Sequence, residues 1–164
     1  MKLELKNIKH TAWASEETHC YQASLYVDGK PVAIVSNDGR GGADRDYPHG
    51  KFRPQLKDFT DVGGDYPSVM RKVHEYFKSL PNIPSEWCAD GLPQKLEYWC
   101  AEQVDDWLSA RELKSKLKKQ FLFQFADKVG VFAHKTRPSR AHKATILNDL
   151  PFDEALSIWK ETAL

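Results

Sequence analysis

Apolar and polar positions alternate from the first residues of the chain. Leu3 and Leu5 are separated by charged side chains and Ile8 continues the extended pattern, which predicts a strand over 2–10. A second strand follows, with Tyr21, Ala23, Leu25 and Val27 on one face and Cys20, Gln22, Ser24 and Tyr26 on the other. Asp28-Gly29 then predicts a type I′ hairpin turn, because both central residues of that turn need positive φ. Pro31 to Ser36 reads as the third strand, with Pro31 at an edge or a strand start, since proline cannot donate to a ladder. Alternation stops there. Residues 37–65 are rich in glycine, poor in β-branched residues and without helical period, and predict a long irregular connection with a short helical turn over Leu56–Phe59.

The period then changes. Val69, Met70, Val73, Tyr76, Phe77 and Leu80 recur at helical spacing, so a helix opens near Pro67, with Asp65 or Tyr66 outside it, and stops at Pro81. The proline-containing stretch 79–91 reads as another connection. A second helix opens at Pro93 and carries a broad stripe through Leu96, Trp99, Cys100, Val104, Trp107, Leu113 and Leu117. Its early turns are acidic and its last turns basic, which complements the helix macrodipole. Phe121, Phe123 and Phe125 alternate as a fourth strand, Val129 to Ala133 forms a fifth, and Lys143 to Leu147 reads as a short sixth. Asn148 or Asp149 is expected to cap a final helix with Pro151 in its first turn and Phe152, Ala155, Leu156 and Trp159 toward the core. Trp99 and Trp107 also read as core, whereas Trp13 and Trp87 read as exposed and available to a partner.

Strands, then helices, then strands indicate the α+β class. The expectation is a single domain over residues 1–164. It would consist of an antiparallel sheet of five or six strands, an N-terminal meander plus a C-terminal hairpin, packed on two or three helices that bury the Phe-rich strand.

Composition narrows the function classes. The chain has 164 residues and a formal net charge of +1, enough length for a substantial core. No apolar run approaches the ~18 residues of a membrane span and no leader pattern opens the chain, so the expected location is cytoplasmic, the host cell cytoplasm for a phage-encoded protein. The three cysteines lack metal-type spacing and read as buried free thiols. The near-neutral total hides an asymmetry: Arg111 to Lys143 carries ten Lys/Arg against two acids. Such a stretch suits a polyanion, although a solvated helix face matched by acidic neighbours explains it equally.

Two surfaces stand out as candidate binding sites. One is the Gly-rich loop with Asn37, Asp38, Arg40, Asp44, Arg45 and His49. Glycines let backbone N–H groups approach an anion and Arg40 could clamp it, but the loop has neither the P-loop nor the dinucleotide-binding pattern, and a flexible strand exit is the competing reading. The other is the basic loop with Lys135, Arg137, Arg140, His142 and Lys143, suited to phosphate or to an acidic protein surface. The six histidines show no HxH, HxxxH or HExxH pair, so a metal site would have to be assembled from distant residues such as His19, Asp38 and His49. The loop acids Asp44, Asp46, Asp58, Asp61 and Asp65 lack calcium-loop spacing, and interspersed basic residues weaken any mimicry of a phosphate backbone. Cys20 and His19 are neighbours on a strand and point to opposite faces, so they form no thiolate–imidazole couple. No catalytic residue, metal or cofactor is assigned.

The segment WASEETHCYQASLYVDGKPVAIVSNDGRGG resembles the opening of small accessory proteins encoded by bacteriophages and prophages, over roughly residues 1–50. The resemblance carries no catalytic residue. It implies a non-catalytic protein that engages a host or phage protein, including inhibition of a bacterial immune or nucleic-acid-processing complex in the manner of anti-CRISPR and other anti-defence proteins. The alternative drawn from the residues themselves is a nucleic-acid or nucleotide-binding protein, or a phosphate-directed enzyme, using the basic 111–143 stretch and the Gly-rich loop.

Overall fold

The computed structural model describes residues 1–52, 66–138 and 144–162. Its class is α+β, as the order of periodicities predicts. The chain folds as two compact units, Met1–Val104 and Asp105–Leu164.

The first unit is built on a four-stranded antiparallel sheet ordered β1 (Leu3–His10), β2 (Cys20–Val27), β3 (Lys30–Asp38) and β4 (Arg45–Pro48). Asp28 and Gly29 sit at φ 49° and 80°, the two positive values that the hairpin turn requires. β2 and β3 are the inner strands, and their inward side chains Ala23, Leu25, Val27, Val32, Ala33 and Val35 are fully or nearly fully buried. Pro31 stands near the start of β3, beside Val32, the extra residue that shifts β3 against β2, where a missing N–H does least harm. A bulge between Lys6 and Lys9 breaks the β1 ladder, with Asn7 at φ 55°. α1 (Tyr66–Lys78) buries Val69, Met70, Val73 and Phe77, the stripe expected from its spacing. Tyr66 lies inside the helix and not outside it.

Two connections contain strands. Residues 45–48 pair with Ala33–Ser36 as an edge strand, so the stretch after Asn37 is not irregular throughout. The expected turn over Leu56–Phe59 lies outside the described residues. Within 79–91, β5 (Ile83–Ser85) and β6 (Cys88–Leu92) form a separate two-stranded ribbon. α2 (Leu96–Leu117) then gives its first turns, with buried Leu96, Cys100 and Val104, to the first unit.

The second unit holds the remainder of α2, a three-stranded sheet ordered β8 (Phe132–His134), β7 (Phe121–Phe125) and β9 (Ala144–Ile146), and α3 (Phe152–Thr162). Among the described residues the strands therefore divide into three sheets. Leu113, Leu122, Leu147, Ala155 and Trp159 form the second unit's core. The central strand presents Leu122, not its phenylalanines, to that core. Phe123, Phe125 and Phe132 instead form a partly exposed cluster on the other face, with ring centroids 5.3–6.0 Å apart. Asn148 does not cap α3. Its side-chain oxygen accepts the Leu122 N–H at 2.8 Å, and its amide donates to the carbonyls of Leu117 and Gln120. It ties the end of α2 to β7, satisfying carbonyls that the helix leaves open.

Candidate functional site

The Gly-rich loop leaves β3 after Asp38, and Asn37, one residue before the strand's end, is where it is fastened. The residue is 9 % exposed. Its Oδ1 accepts the Thr18 hydroxyl and the Gly39 N–H, both at 2.8 Å. Its Nδ2 donates to the Gly42 carbonyl at 2.8 Å and to Asp44 Oδ1 at 2.9 Å. The Tyr21 hydroxyl donates to the other Asp44 oxygen. On the far side of the loop the Gly39 carbonyl accepts the N–H groups of Glu16, Glu17 and Thr18 at 3.0, 2.9 and 3.3 Å. Residues 14–18 thus form a strap across the loop. Gly39 has φ 87°, and a Cβ there would stand 2.0 Å from the Ala14 carbonyl oxygen. Only glycine fits, for both its dihedral and its contact. The expected flexible strand exit is a cross-braced loop from Asn37 to Asp44.

Asn37 and Asp44 are consequently structural members, whereas Asp38, Arg40 and Arg45 are exposed around the rim. Arg45 Nη2 lies 3.5 Å from Asp38 Oδ2, a solvent-exposed pair of small energetic weight. His49 is set apart in a turn, its N–H donating to the Val32 carbonyl and its Nδ1 accepting the Lys51 N–H at 3.0 Å. Among the described residues no three His, Cys, Asp or Glu side chains converge in a way that could hold a metal ion. The His19, Asp38 and His49 combination is therefore not assembled.

Asp44 occupies the wall between two hollows of the first unit. The larger, about 710 Å³, runs along β3, α1 and the start of α2, lined by Val35, Asp46, Met70, His74 and Glu97 among others. The smaller, about 300 Å³, is lined by Thr18, His19, Asn37, Gly42, Asp44, Glu97 and Tyr98. Burial raises the Asp44 carboxyl above its ordinary value against the opposing hydrogen bonds from Tyr21 and Asn37, and the Glu97 charge raises it further. Burial likewise raises the Tyr21 phenol and pushes the Cys100 thiol up to about 12. A protonated Cys100 with no exposed surface is a core residue and not a nucleophile. Asp46 accepts the Tyr66 hydroxyl, which fixes the start of α1 against the β4 edge. Sequence reasoning missed Thr18, Tyr21 and Glu97. The available signal was Tyr21 itself: a phenol at an inward strand position needs a hydrogen-bond partner.

Around the braced loop lie large exposed groups. Trp13, in a single 3₁₀ turn over Ala12–Ala14 beside Gly39, is 88 % exposed. Arg40 follows Gly39 directly, and Tyr47 on β4 is 51 % exposed. Trp87, at the tip of the β5–β6 ribbon, is also exposed.

The second unit accounts for much of the basic stretch. Arg137 pairs with Asp149 at 2.5 Å and lies 6.0 Å from the centroid of Phe121. Lys116 pairs with Glu112 at 3.0 Å and lies 4.6 Å from the Trp159 ring. Lys128 stands over Phe125, and Lys114 over Phe152. These cations cap aromatic rings. Lys135 is exposed beside a turn closed by His134 and Thr136. Arg140, His142 and Lys143 lie outside the described residues. Among the described residues, no helix is long and apolar enough to cross a membrane.

No family model, curated protein or solved structure matches the chain.

Proposed function

We propose that the chain is a non-catalytic binding protein of phage type that engages a host or phage protein through the rim of the braced loop: Trp13, Arg40, Arg45 and Tyr47. The observation that carries this reading is the exposure of Trp13 and Arg40, an indole and a guanidinium on two backbone segments that Asn37 and the Gly39 carbonyl lock together. Tryptophan, tyrosine and arginine dominate binding hot spots, and a preformed backbone lowers the ordering cost of association. The resemblance of the N-terminal part supplies the class of target, a protein of a bacterial immune or nucleic-acid-processing complex whose activity the bound chain would inhibit.

The test is capture of tagged protein in bacterial lysate at physiological salt, alongside the exposed double variant Trp13→Ala/Arg40→Ala. A stoichiometric protein partner retained by the parent and lost from the variant is the expected result, with truncation of a hot-spot side chain costing about 2 kcal/mol or more. No stoichiometric partner, or one retained equally by the variant, overturns the reading.

A further inference from the structure

We propose that the face of α2 carrying Trp107, Arg111 and Lys114, together with Lys118 in the turn that follows the helix, is a docking site for single-stranded nucleic acid. It lies wholly in the second unit and is independent of the loop rim. Arg111 and Lys114 stand four and seven positions after Trp107 and so share one side of the helix, and Lys118 continues the row in the turn just past its end. With Ala110 and Ser115 they line a shallow hollow of about 400 Å³. The Arg111 guanidinium lies 5.3 Å from the centroid of the half-buried Trp107 ring, a cation over an indole with the guanidinium outermost. No carboxylate lines the hollow. Glu112, on the adjacent face, is engaged by Lys116, and Asp106 is engaged by Lys160.

The contrast with the 135–137 loop decides the location. There Arg137 is matched by Asp149, whereas Arg111, Lys114 and Lys118 have no carboxylate partner among the described residues. Their charge complements a polyanion. The indole and guanidinium planes favour a strand whose bases are unpaired, since stacking needs an open base face. At 1.5 Å rise per residue the helical part of the face extends roughly 10 Å from Trp107 to Lys114, and Lys118 lengthens it past the helix end, room for a few nucleotides. Ser115 adds a hydroxyl between the cations.

The experiment is fluorescence anisotropy of a labelled twelve-nucleotide oligo-dT with the full chain, in 50 to 200 mM NaCl. Three cations on a single strand predict a slope near −2 in log affinity against log salt, roughly a 20-fold loss over that range. Arg111→Ala/Lys118→Ala changes two exposed side chains and leaves one phosphate contact. Its affinity at 50 mM should fall, and the remaining loss over the range should shrink to about 3-fold. Lys135→Ala should behave as the parent. No saturable binding at 50 mM, an unchanged slope in the double variant, or equal affinity for a duplex of the same length overturns the proposal. So does displacement of the oligonucleotide by poly-glutamate as readily as by unlabelled oligo-dT, which would assign the face to an acidic protein. The capture experiment on the loop rim reads a different surface, so either result stands without the other.

Discussion

Replacing Asn37 with alanine removes four hydrogen bonds at one point: those to the Thr18 hydroxyl, the Gly39 N–H, the Gly42 carbonyl and Asp44. A neutral bond is worth about 1 kcal/mol net, and one to a charged group about 1.5–3. Loop neighbours are partly exposed, so water recovers part of the loss, and the expected destabilisation is about 3–4 kcal/mol. Urea unfolding followed through the first unit checks it. With a slope near 2 kcal/mol/M, the midpoint should fall by roughly 1.5–2 M. Asn37→Asp sharpens the test. It keeps both acceptor interactions but sets a second carboxylate against Asp44, whose own carboxyl is raised by burial. The penalty of this variant should therefore shrink as pH falls and one of the two carboxyls is protonated. A loss under about 0.5 kcal/mol for Asn37→Ala would sink the argument, since surface substitutions alone produce that much. So would a penalty in Asn37→Asp that ignores pH.

Further expectations can be read from the same unit. Gly39→Ala drives a Cβ into the Ala14 carbonyl at φ 87°, whereas Gly29→Ala, at φ 80° with nothing within 4 Å, meets strain alone. Thermal melts should show a loss of about 1 kcal/mol at position 29 and several-fold more at position 39. Asp44 holds its proton in the folded protein above the value of 3.8 at which an ordinary aspartate releases it. Its contribution is complete below that pH and declines as pH rises through the raised value, so stability falls with rising pH across that window. Subtracting the profile of Asp44→Asn should isolate this slope, and identical profiles would refute it. The Tyr21 phenol is raised as well, so stability should decline above pH 10 less steeply in Tyr21→Phe than in the parent, as spectroscopic titration of unfolding would show. Cys100 is fully buried while Cys20 and Cys88 are partly exposed. A thiol reagent at pH 8 should modify two cysteines readily and the third only on unfolding.

The hairpin at Asp28-Gly29 was legible because its determinant is local: two adjacent residues suited to positive φ, flanked by alternation. α1 was legible for the same reason, with an uninterrupted stripe on one side. β4, β5 and β6 were not. Arg-Asp-Tyr-Pro and Ile-Pro-Ser contain no alternation, and such short edge segments become strands only because a neighbour offers free backbone groups. The Phe-rich strand shows the opposite failure. Size and apolarity pointed its phenylalanines inward, yet Leu122 takes that side and the Lys128 ammonium lies over the Phe125 and Phe132 rings outside. The candidate site divides along similar lines. Asp38, Arg40 and Arg45 lie on the surface as their polarity suggests. Asn37 and Asp44 have the same kind of side chain but are spent on internal contacts, with each other, with the loop backbone, and with Thr18 and Tyr21, which are distant in sequence.

The Gly39 carbonyl, in gathering three N–H groups, fixes strap and loop during folding instead of at the moment of encounter. Ordering a backbone residue on association would cost about 1–2 kcal/mol, and that entropy is already gone from the free protein. Recognition at this rim would then proceed as rigid docking, with a heat-capacity change set by contact area and no added signature of coupled folding. Variants of Trp13 or Arg40 would differ in how long a complex lasts far more than in how fast it forms.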